Sequence, residues 1–316
     1  MELFRNTNID WLGKKWYFLG FSLIFSIAGV ISILFINHIP LGVDFKGGTQ
    51  VKVSFPSKPN EDHLRGAMDR AGVKDFTIQS LSGVTGNQVV ITLPETKTDA
   101  NNDAPRQAVV NALSANYKDS EFKIDDSYTV GPTAGKQLRN QALLATLYSL
   151  IGMLVYLWFR FELIYGVAAV VAVFHDTLIT IGAFSLTKTE ITLTVIAAIL
   201  TLVGYSMNDT IVVFDRIREN LVSSRRETLA EVVNKSINQT LSRTVLTSGL
   251  TFITAISLYL FGGEVLHGFS FALVVGILIG TYSSIAVAAP MLVAYQEWRT
   301  KSGRSAQLPS GKKARA

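Results

Sequence analysis

The sequence predicts an α-helical membrane protein with six transmembrane helices and one α+β domain, of ferredoxin-like type, between helices 1 and 2. Two observations lead to this prediction. Six apolar stretches are each long enough to cross a bilayer, which takes about 20 residues, and a stretch of mixed polarity separates the first from the second. The predicted spans are 16–36, 141–159, 163–187, 191–214, 244–263 and 268–295.

The positive charges are concentrated on one side of the predicted membrane. Most of the lysines and arginines outside residues 37–140 lie in three segments: 1–15, 216–242 and 297–316. The loops 188–190 and 264–267 on the other side contain only Lys188. The positive-inside rule then places both termini in the cytoplasm of a bacterium and residues 37–140 in the periplasm. The basic tail is interpreted as an orientation signal against anionic membrane lipid, and no nucleic-acid binding is expected.

Residues 37–140 have the pattern of a small globular domain. Its predicted strands and helices lie at 49–55, 60–71, 75–81, 88–93, 106–117 and 122–130. Asn60 is a good helix N-cap, and Gly72 is a good helix end. The order β-α-β-β-α-β is typical of a ferredoxin-like sandwich. The domain contains no convincing catalytic set, so we expect it to bind or support another component.

Two glycine-rich segments flank this domain, and they form a predicted structural motif. Its residues are Asp44, Gly47, Gly48, Thr49, Gly131 and Pro132. The pair Gly47-Gly48 resembles part of a phosphate loop, but no Gly-Lys-Ser/Thr follows it, so no nucleotide site is expected. We interpret the segments as a close-packed entry of the chain into the domain. Asp44 is expected to accept hydrogen bonds from backbone N–H groups of its own turn.

An acidic residue, Asp209, lies in an otherwise apolar span. It follows the thirteen uncharged residues 192–204. A carboxylate in hydrocarbon costs about 2.5–3.5 kcal/mol on insertion scales, and such residues mark ion, proton or substrate pathways. Arg243 stands at the head of the next apolar run, so the two side chains are expected to approach each other from similar depths. Tyr205 and Ser206 lie about one helical turn away on the Asp209 face.

A buried Asp–Arg pair can switch between two states. Beside the arginine the carboxylate stays ionised, whereas away from it the cost of a buried charge favours the protonated form. Two structural alternatives stand beside this interpretation. Asp209 can be a buried hydrogen-bonding residue with no part in transport, and Arg243 can be an anchor that extends to the membrane interface.

The third span contains a second polar position, His175-Asp176. Histidine carries protons readily near neutral pH, so this pair is either a further step of a proton path or a packing bond between helices.

Thr228 and Glu231 form a capping box. The box predicts an amphipathic helix on the cytoplasmic membrane surface that positions Arg243. Cysteine is absent, and neither a metal nor a cofactor is expected beyond protons as the coupling ion.

Four motifs resemble one known family. They are Val43-Asp-Phe-Lys-Gly-Gly-Thr49, Val130-Gly-Pro-Thr133, Gly204-Tyr-Ser-Met-Asn-Asp-Thr210 and Val213-Phe-Asp-Arg-Ile-Arg-Glu-Asn220. In these motifs, and along the whole chain, the sequence is similar to the SecF branch of the bacterial SecD/SecF family, in the resistance-nodulation-division superfamily. The resemblance implies that Asp209 and Arg243 belong to a proton pathway. The polar neighbours Tyr205, Ser206, Asn208 and Thr210 are expected to support them.

The same resemblance implies the partners. A SecD subunit would supply a similar set of six spans and a further carboxylate of the proton path. The pair would associate with the SecYEG channel and, in many bacteria, with YajC. It would use the proton-motive force to help exported preproteins cross the inner membrane, as a transport subunit and not as an enzyme.

Two other functions fit parts of the pattern. One is half of a proton-coupled exporter of small molecules or lipids from the same superfamily. That class needs large periplasmic docking domains, and about 100 residues are present here. The other is an intramembrane hydrolase, which would need paired catalytic groups. Asp176 and Asp209 are the candidates, but their estimated depths differ by about 10 Å.

Overall fold

The computed structural model describes residues 7–81, 87–94, 103–161, 163–224 and 227–302. Parts of the predicted N-terminal segment 1–15 and of the basic tail 297–316 lie outside these ranges. The elements, in chain order, are α1 (Lys15–Ile31, continued by a π-helical turn, Ser32–Ile36), α2 (Val43–Lys46), β1 (Gly48–Ser54), α3 (Glu61–Arg70), β2 (Thr77–Leu81), β3 (Gln88–Leu93), α4 (Ala104–Asn116), β4 (Lys123–Val130), α5 (Pro132–Arg160), α6 (Leu163–Thr187), α7 (Leu193–Ser223), α8 (Leu229–Phe261), α9 (Gly263–Ser283, continued by a π-helical turn, Ser284–Ala288) and α10 (Ala289–Lys301).

The soluble domain has the predicted β-α-β-β-α-β order and forms a four-stranded sheet. The strand order is β2-β3-β1-β4, and each neighbouring pair is antiparallel. Alternate residues of the two central strands, such as Val51 and Ile91, are buried against Leu64 of α3 and Leu113 of α4. The α+β prediction is therefore confirmed, because the period-two pattern of these strands buries one face of the sheet.

Local signals determine where helix α3 of the soluble domain begins and ends. The Asn60 side chain accepts hydrogen bonds from the backbone N–H groups of Asp62 and His63, at 3.0 and 3.3 Å. These bonds satisfy two N–H groups that have no partner within the helix. Gly72 follows the helix with φ at +75°, a conformation that favours glycine. The predicted cap and stop are both confirmed.

Six helices in the described part of the chain are long and apolar enough to span a membrane. Several continue beyond the predicted spans, because a helix does not have to end where the hydrocarbon does. Thus α5 begins at Pro132 in place of residue 141, and α7 continues past residue 214 to Ser223.

The segment 216–242 differs from the expectation. The capping box at Thr228 is present, but the helix that it opens does not lie as a separate element on a membrane surface. It is the first part of α8, which runs unbroken to Phe261. The reason is packing: Val232, Val233 and Ile237 are buried in the same apolar cluster as residues of α7. Arg243 consequently lies inside a long helix, not at its start.

Small residues allow close helix packing around α7. A Cβ atom on Gly276 of α9 would overlap the Leu202 side chain, and one on Gly280 would lie 3.0 Å from the Ser206 Cβ. On the other side of α6, a Cβ on Gly29 would lie 3.3 Å from the Gly182 Cα. These contacts bring α9 against α7 and α1 against α6, and they place polar side chains of α7 inside the bundle.

Candidate functional site

The bundle buries Asp209 between α7 and α8. The residue is 2% exposed, and its Oδ2 atom accepts a hydrogen bond of 2.7 Å from the Ser248 hydroxyl of α8. A hydroxyl that donates to a carboxylate stabilises the charge, and hydrogen bonds to charged groups contribute about 1.5–3 kcal/mol. The expensive charge that the sequence revealed is therefore partly satisfied by the neighbouring helix.

Helices α7 and α8 form an antiparallel hairpin whose register is fixed by side-chain bonds. The Asn220 amide donates to Ser236 at 2.8 Å, and the Arg216 Nε donates to Gln239 at 2.7 Å. Together with the bond between Ser248 and Asp209, these pairs place residue 243 opposite about residue 213. That position is four residues from Asp209, or about 6 Å of helix rise.

Arg243 therefore lies closer to the α7–α8 connection than Asp209 does. Both residues are described, and no ion pair within 4.0 Å joins them. The arginine side chain is exposed on α8. The two residues therefore do not lie at the expected similar depth but about four residues apart, because the register of the α7–α8 hairpin sets the depth of Arg243.

A second buried carboxylate, Asp176, joins three helices. Its Oδ2 atom accepts hydrogen bonds from Ser206 of α7 at 2.6 Å and from Ser283 of α9 at 2.7 Å. Its Oδ1 atom lies 2.9 Å from the His175 Nδ1. Ser206 is three residues from Asp209, or about 4.5 Å along the helix. The two carboxylates are thus closer in depth than the estimated 10 Å, and the two bonds to Ser206 and Ser283 fit a packing link between helices.

The other polar residues near Asp209 have separate environments. The Thr210 hydroxyl donates to the Ser206 carbonyl at 3.1 Å, within α7 itself. Asn208 is exposed on α7, whereas the Tyr205 hydroxyl is buried and has no hydrogen-bond partner in the part of the chain that the structure describes. No group of three or more His, Cys, Asp or Glu side chains within the described ranges is arranged to hold a metal ion.

The glycine-rich motif packs tightly, as predicted. Gly47 and Gly48 have φ values of +78° and +126°, and a Cβ on Gly48 would overlap the Leu93 carbonyl oxygen. Thr49 is buried and its hydroxyl lies 3.0 Å from the Thr129 hydroxyl. Gly131 is extended and precedes Pro132, the first residue of α5. The positive φ values of Gly47 and Gly48 favour glycine where the chain enters the sheet.

The prediction for Asp44 was wrong. Its Oδ2 atom accepts a hydrogen bond of 2.8 Å from the backbone N–H of Leu193, the first residue of α7, and not from its own turn. The first N–H groups of a helix have no partner inside it and attract negative charge. This long-range contact joins the glycine-rich segment directly to the helix of Asp209.

Sequence reasoning gave no site role to two serines that bond the buried carboxylates, Ser248 and Ser283. Serines are frequent in membrane helices, so their presence alone is not a signal. Only their positions on facing helices distinguish them. One signal in the sequence is that each of these serines lies close to a glycine: Ser248 precedes Gly249, and Ser283 follows Gly280 by three residues.

The fold and the site define a class: an integral membrane protein that keeps ionisable side chains buried in its helix bundle and has a soluble domain inserted after its first span. Comparison with known proteins defines it further. The model of the family "Protein export membrane protein SecD/SecF, C-terminal" matches residues 109–298, and that of the "SecD/SecF GG Motif" matches residues 32–55. The chain belongs to the SecD/SecF family.

Individual relatives agree with this assignment. The chain is similar to the protein translocase subunit SecF of Koribacter versatilis, with 54% identity over 97% of this chain and 96% of that protein. The protein translocase subunit SecF of Calditerrivibrio nitroreducens is 40% identical, over 95% of this chain and 99% of that protein.

A solved structure has the same fold. In a crystal structure of SecDF, a translocon-associated membrane protein from Thermus thermophilus, the matched region is 36% identical with a TM-score of 0.83. The match covers 94% of this chain and 40% of the SecDF chain. The chain thus spans less than half the length of that protein.

Proposed function

We propose that this chain is a SecF-type subunit that uses proton movement to assist protein export through the Sec translocon. One observation supports the proton role above all others. Asp209 is 2% exposed inside a membrane helix bundle, and among the described residues a single hydroxyl, that of Ser248, donates to it. A buried carboxylate with so few hydrogen-bond partners binds or releases a proton while few other contacts have to change.

The proposed cycle has two states of this site. When Asp209 is ionised, it attracts the Arg243 guanidinium and accepts the Ser248 bond. When a proton binds to Asp209, the attraction to Arg243 is lost and the arginine is free to turn away. The proton-motive force drives the exchange, because one elementary charge that crosses 100 mV releases about 2.3 kcal/mol. That energy is sufficient to shift the populations of two helix arrangements.

The exposed side of the α7–α8 hairpin favours a membrane-embedded partner. Small or polar residues lie exposed on both helices: Thr201, Gly204 and Asn208 on α7, and Arg243 and Thr247 on α8. Such residues are unfavourable against lipid tails and suit helix–helix contacts. We propose that a SecD subunit covers this face and completes the proton path. SecYEG, YajC and exported preproteins are proposed partners of the resulting complex.

The proposed location is the bacterial inner membrane, with both termini in the cytoplasm and the soluble domain in the periplasm. Basic residues at the α7–α8 connection favour this orientation. Arg160 forms an ion pair of 2.9 Å with Asp215, and Arg216 forms one of 2.6 Å with Glu219. Lipid headgroups are the expected neighbours of this charged rim.

The proposal is tested by changing Asp209 to Asn. The asparagine keeps the size of the side chain and an acceptor for Ser248, but it cannot bind and release a proton. We expect proton-dependent export in inverted membrane vesicles to fall to background, while the protein level and the recovery of SecD with the chain stay normal.

Asp215→Asn is the matched control, because Asp215 is on the same helix but is exposed and paired with Arg160. We expect this variant to export normally. Normal export by Asp209→Asn, with the same response to an uncoupler as the original protein, would refute the proton role.

A further inference from the structure

The segment between the first span and the soluble domain is bonded to the start of α7. The Gly42 N–H donates to the Ile191 carbonyl at 2.9 Å, and the Ile191 N–H donates to the Pro40 carbonyl at 2.7 Å. Leu41 and Ile191 thereby form a parallel β-bridge. We call residues 38–50 together with residues 185–193 the outer clamp.

Side chains reinforce these backbone bonds. Besides the bond from the Leu193 N–H to Asp44, the Gln50 amide donates to the Glu190 carboxylate at 2.9 Å. Asp44 also lies near Tyr128 of β4, where partial burial together with the charge of this carboxylate raises the pKa of Tyr128. One acidic side chain thus lies between the N-terminus of α7, to which it is bonded, and an edge strand of the soluble domain.

An aromatic side chain fills the interior of the outer clamp. Phe45 is buried in a cluster with Phe184 at the end of α6, Val195 and Ile199 of α7, and Ala272 of α9. On the opposite side, a Cβ on Gly135 of α5 would lie only 3.2 Å from the Gly47 backbone nitrogen. Close packing on two sides leaves the segment little freedom to move independently of α7.

The outer clamp continues directly into the centre of the sheet. β1 begins at Gly48, immediately after the glycine pair, and it lies between β3 and β4. In the other direction, α7 runs without a break from Leu193 to Asp209, sixteen residues or about 24 Å. The outer clamp therefore links α7, the helix that carries Asp209, to the central strand β1 through hydrogen bonds and a short segment of chain.

We propose that the outer clamp transmits movement of α7 to the soluble domain, and that Asp44 is the positioning residue that holds the two together. This inference rests on the proposed proton-driven function, and it identifies the route by which that function reaches the soluble domain. Asp44 takes no proton in this scheme: it keeps the N-terminus of α7 attached to the segment that leads into β1 throughout the cycle.

Asp44→Ala tests the transmission, because it removes the acceptor of the Leu193 N–H. We expect export in inverted vesicles to fall about tenfold or more, which is the factor that a lost hydrogen bond to a charged group corresponds to. Proton uptake by the same vesicles should stay within about twofold of the original, because the Asp209 site is untouched.

Asp44→Asn retains an acceptor oxygen and should restore most export. Asp126→Ala, on an exposed position of β4, is the control and should export normally.

Two results would overturn the transmission role. If proton uptake and export fall together in Asp44→Ala, the residue merely supports the fold. If Asp44→Ala exports normally, the bond transmits nothing that export requires.

A disulfide provides a second test that does not depend on protons. The chain has no cysteine, so Leu41→Cys with Ile191→Cys introduces a single pair of thiols at the β-bridge, where bridged Cα atoms lie within disulfide range. We expect the oxidised protein to export at the rate of the reduced protein, because the two segments move together. Loss of export on oxidation and its recovery with a reductant would mean that the outer clamp must open, which contradicts transmission. The disulfide experiment measures export only. It therefore tests the outer clamp even if the Asp209→Asn result refutes the proton role.

Discussion

The soluble domain and the helix bundle bury different kinds of side chain. The core of the domain consists of apolar residues such as Val51, Leu64 and Leu113. The bundle buries hydroxyls throughout and two carboxylates, Asp176 and Asp209. Among the described residues, the third buried carboxylate is Asp44, at the junction of the two regions. Charge is therefore buried in the membrane region and at its connection to the domain, not within the domain.

This difference separates stability from function. An apolar core stabilises a domain and needs no specific chemistry, whereas a charge in a membrane bundle costs free energy and is kept where it is used. Under the proposed function, the soluble domain is the part that is moved, and the bundle is the part that moves it. Substitutions in the two regions should accordingly fail in different ways.

The largest effect is expected at Arg243. Arg243→Met removes the cation that Asp209 attracts and keeps much of the side-chain volume. Proton-dependent export should fall to background while thermal stability stays within a few degrees of the original. Arg243→Lys should recover export only in part, because lysine lacks the planar guanidinium fork. Both are measured with export assays in vesicles and unfolding scans of the purified protein.

The outcome at Arg243 bears directly on the comparison. If Arg243→Met exports fully, Arg243 is an anchor at the membrane interface and not the partner of Asp209. A variant that no longer accumulates in the membrane would instead assign Arg243 to assembly, and Arg243→Lys then shows whether positive charge alone is sufficient.

The opposite behaviour is expected in the domain core. Leu113→Ala removes a fully buried side chain of α4 and should lower the free energy of unfolding of the domain by about 2–5 kcal/mol. Protease digestion of the purified protein at increasing urea concentration measures this loss. Proton uptake should persist at temperatures where the domain stays folded. A loss of uptake under those conditions would break the separation between the two regions.

The smallest effect is expected at Glu190, where the two regions meet. Burial raises the pKa of the Glu190 carboxyl, nearby Asp44 raises it further, and Lys46 and the Gln50 amide lower it in part. Because the folded-state pKa is raised, stability is highest when Glu190 is protonated and is lost as pH rises above the ordinary value of 4.5. Glu190→Gln cannot ionise and keeps an acceptor for Gln50, so it should escape this loss.

The measurement compares melting temperatures of Glu190→Gln and the original protein from acid to neutral pH. The two should agree at the acid end and diverge by about 1–3 °C as pH rises, a shift typical of a contribution below 1 kcal/mol. Glu121→Gln, an exposed position, controls for charge and should show no divergence. Parallel curves for Glu190→Gln would mean that its burial has no energetic consequence.

Several features followed from the sequence alone. Hydropathy located six spans, alternation and turn residues gave the order of the soluble domain, Asn60 and Thr228 marked two helix starts, and Asp209 stood out as a costly charge. All of these depend on residues close together in the chain, where helix and strand periodicity and side-chain capping act.

Contacts between distant segments were decided only by the tertiary structure. The hairpin register placed Ser248, and not Arg243, opposite Asp209, and packing against α7 made 229–261 a single helix. Asp44 accepts a hydrogen bond from the Leu193 N–H, and Asp176 accepts hydrogen bonds from Ser206 and Ser283 on two other helices. Local patterns specify which face of a helix is polar, but not which helix meets it or at what height. Those choices are made by the close approach of glycines and the fit of side chains across the whole bundle.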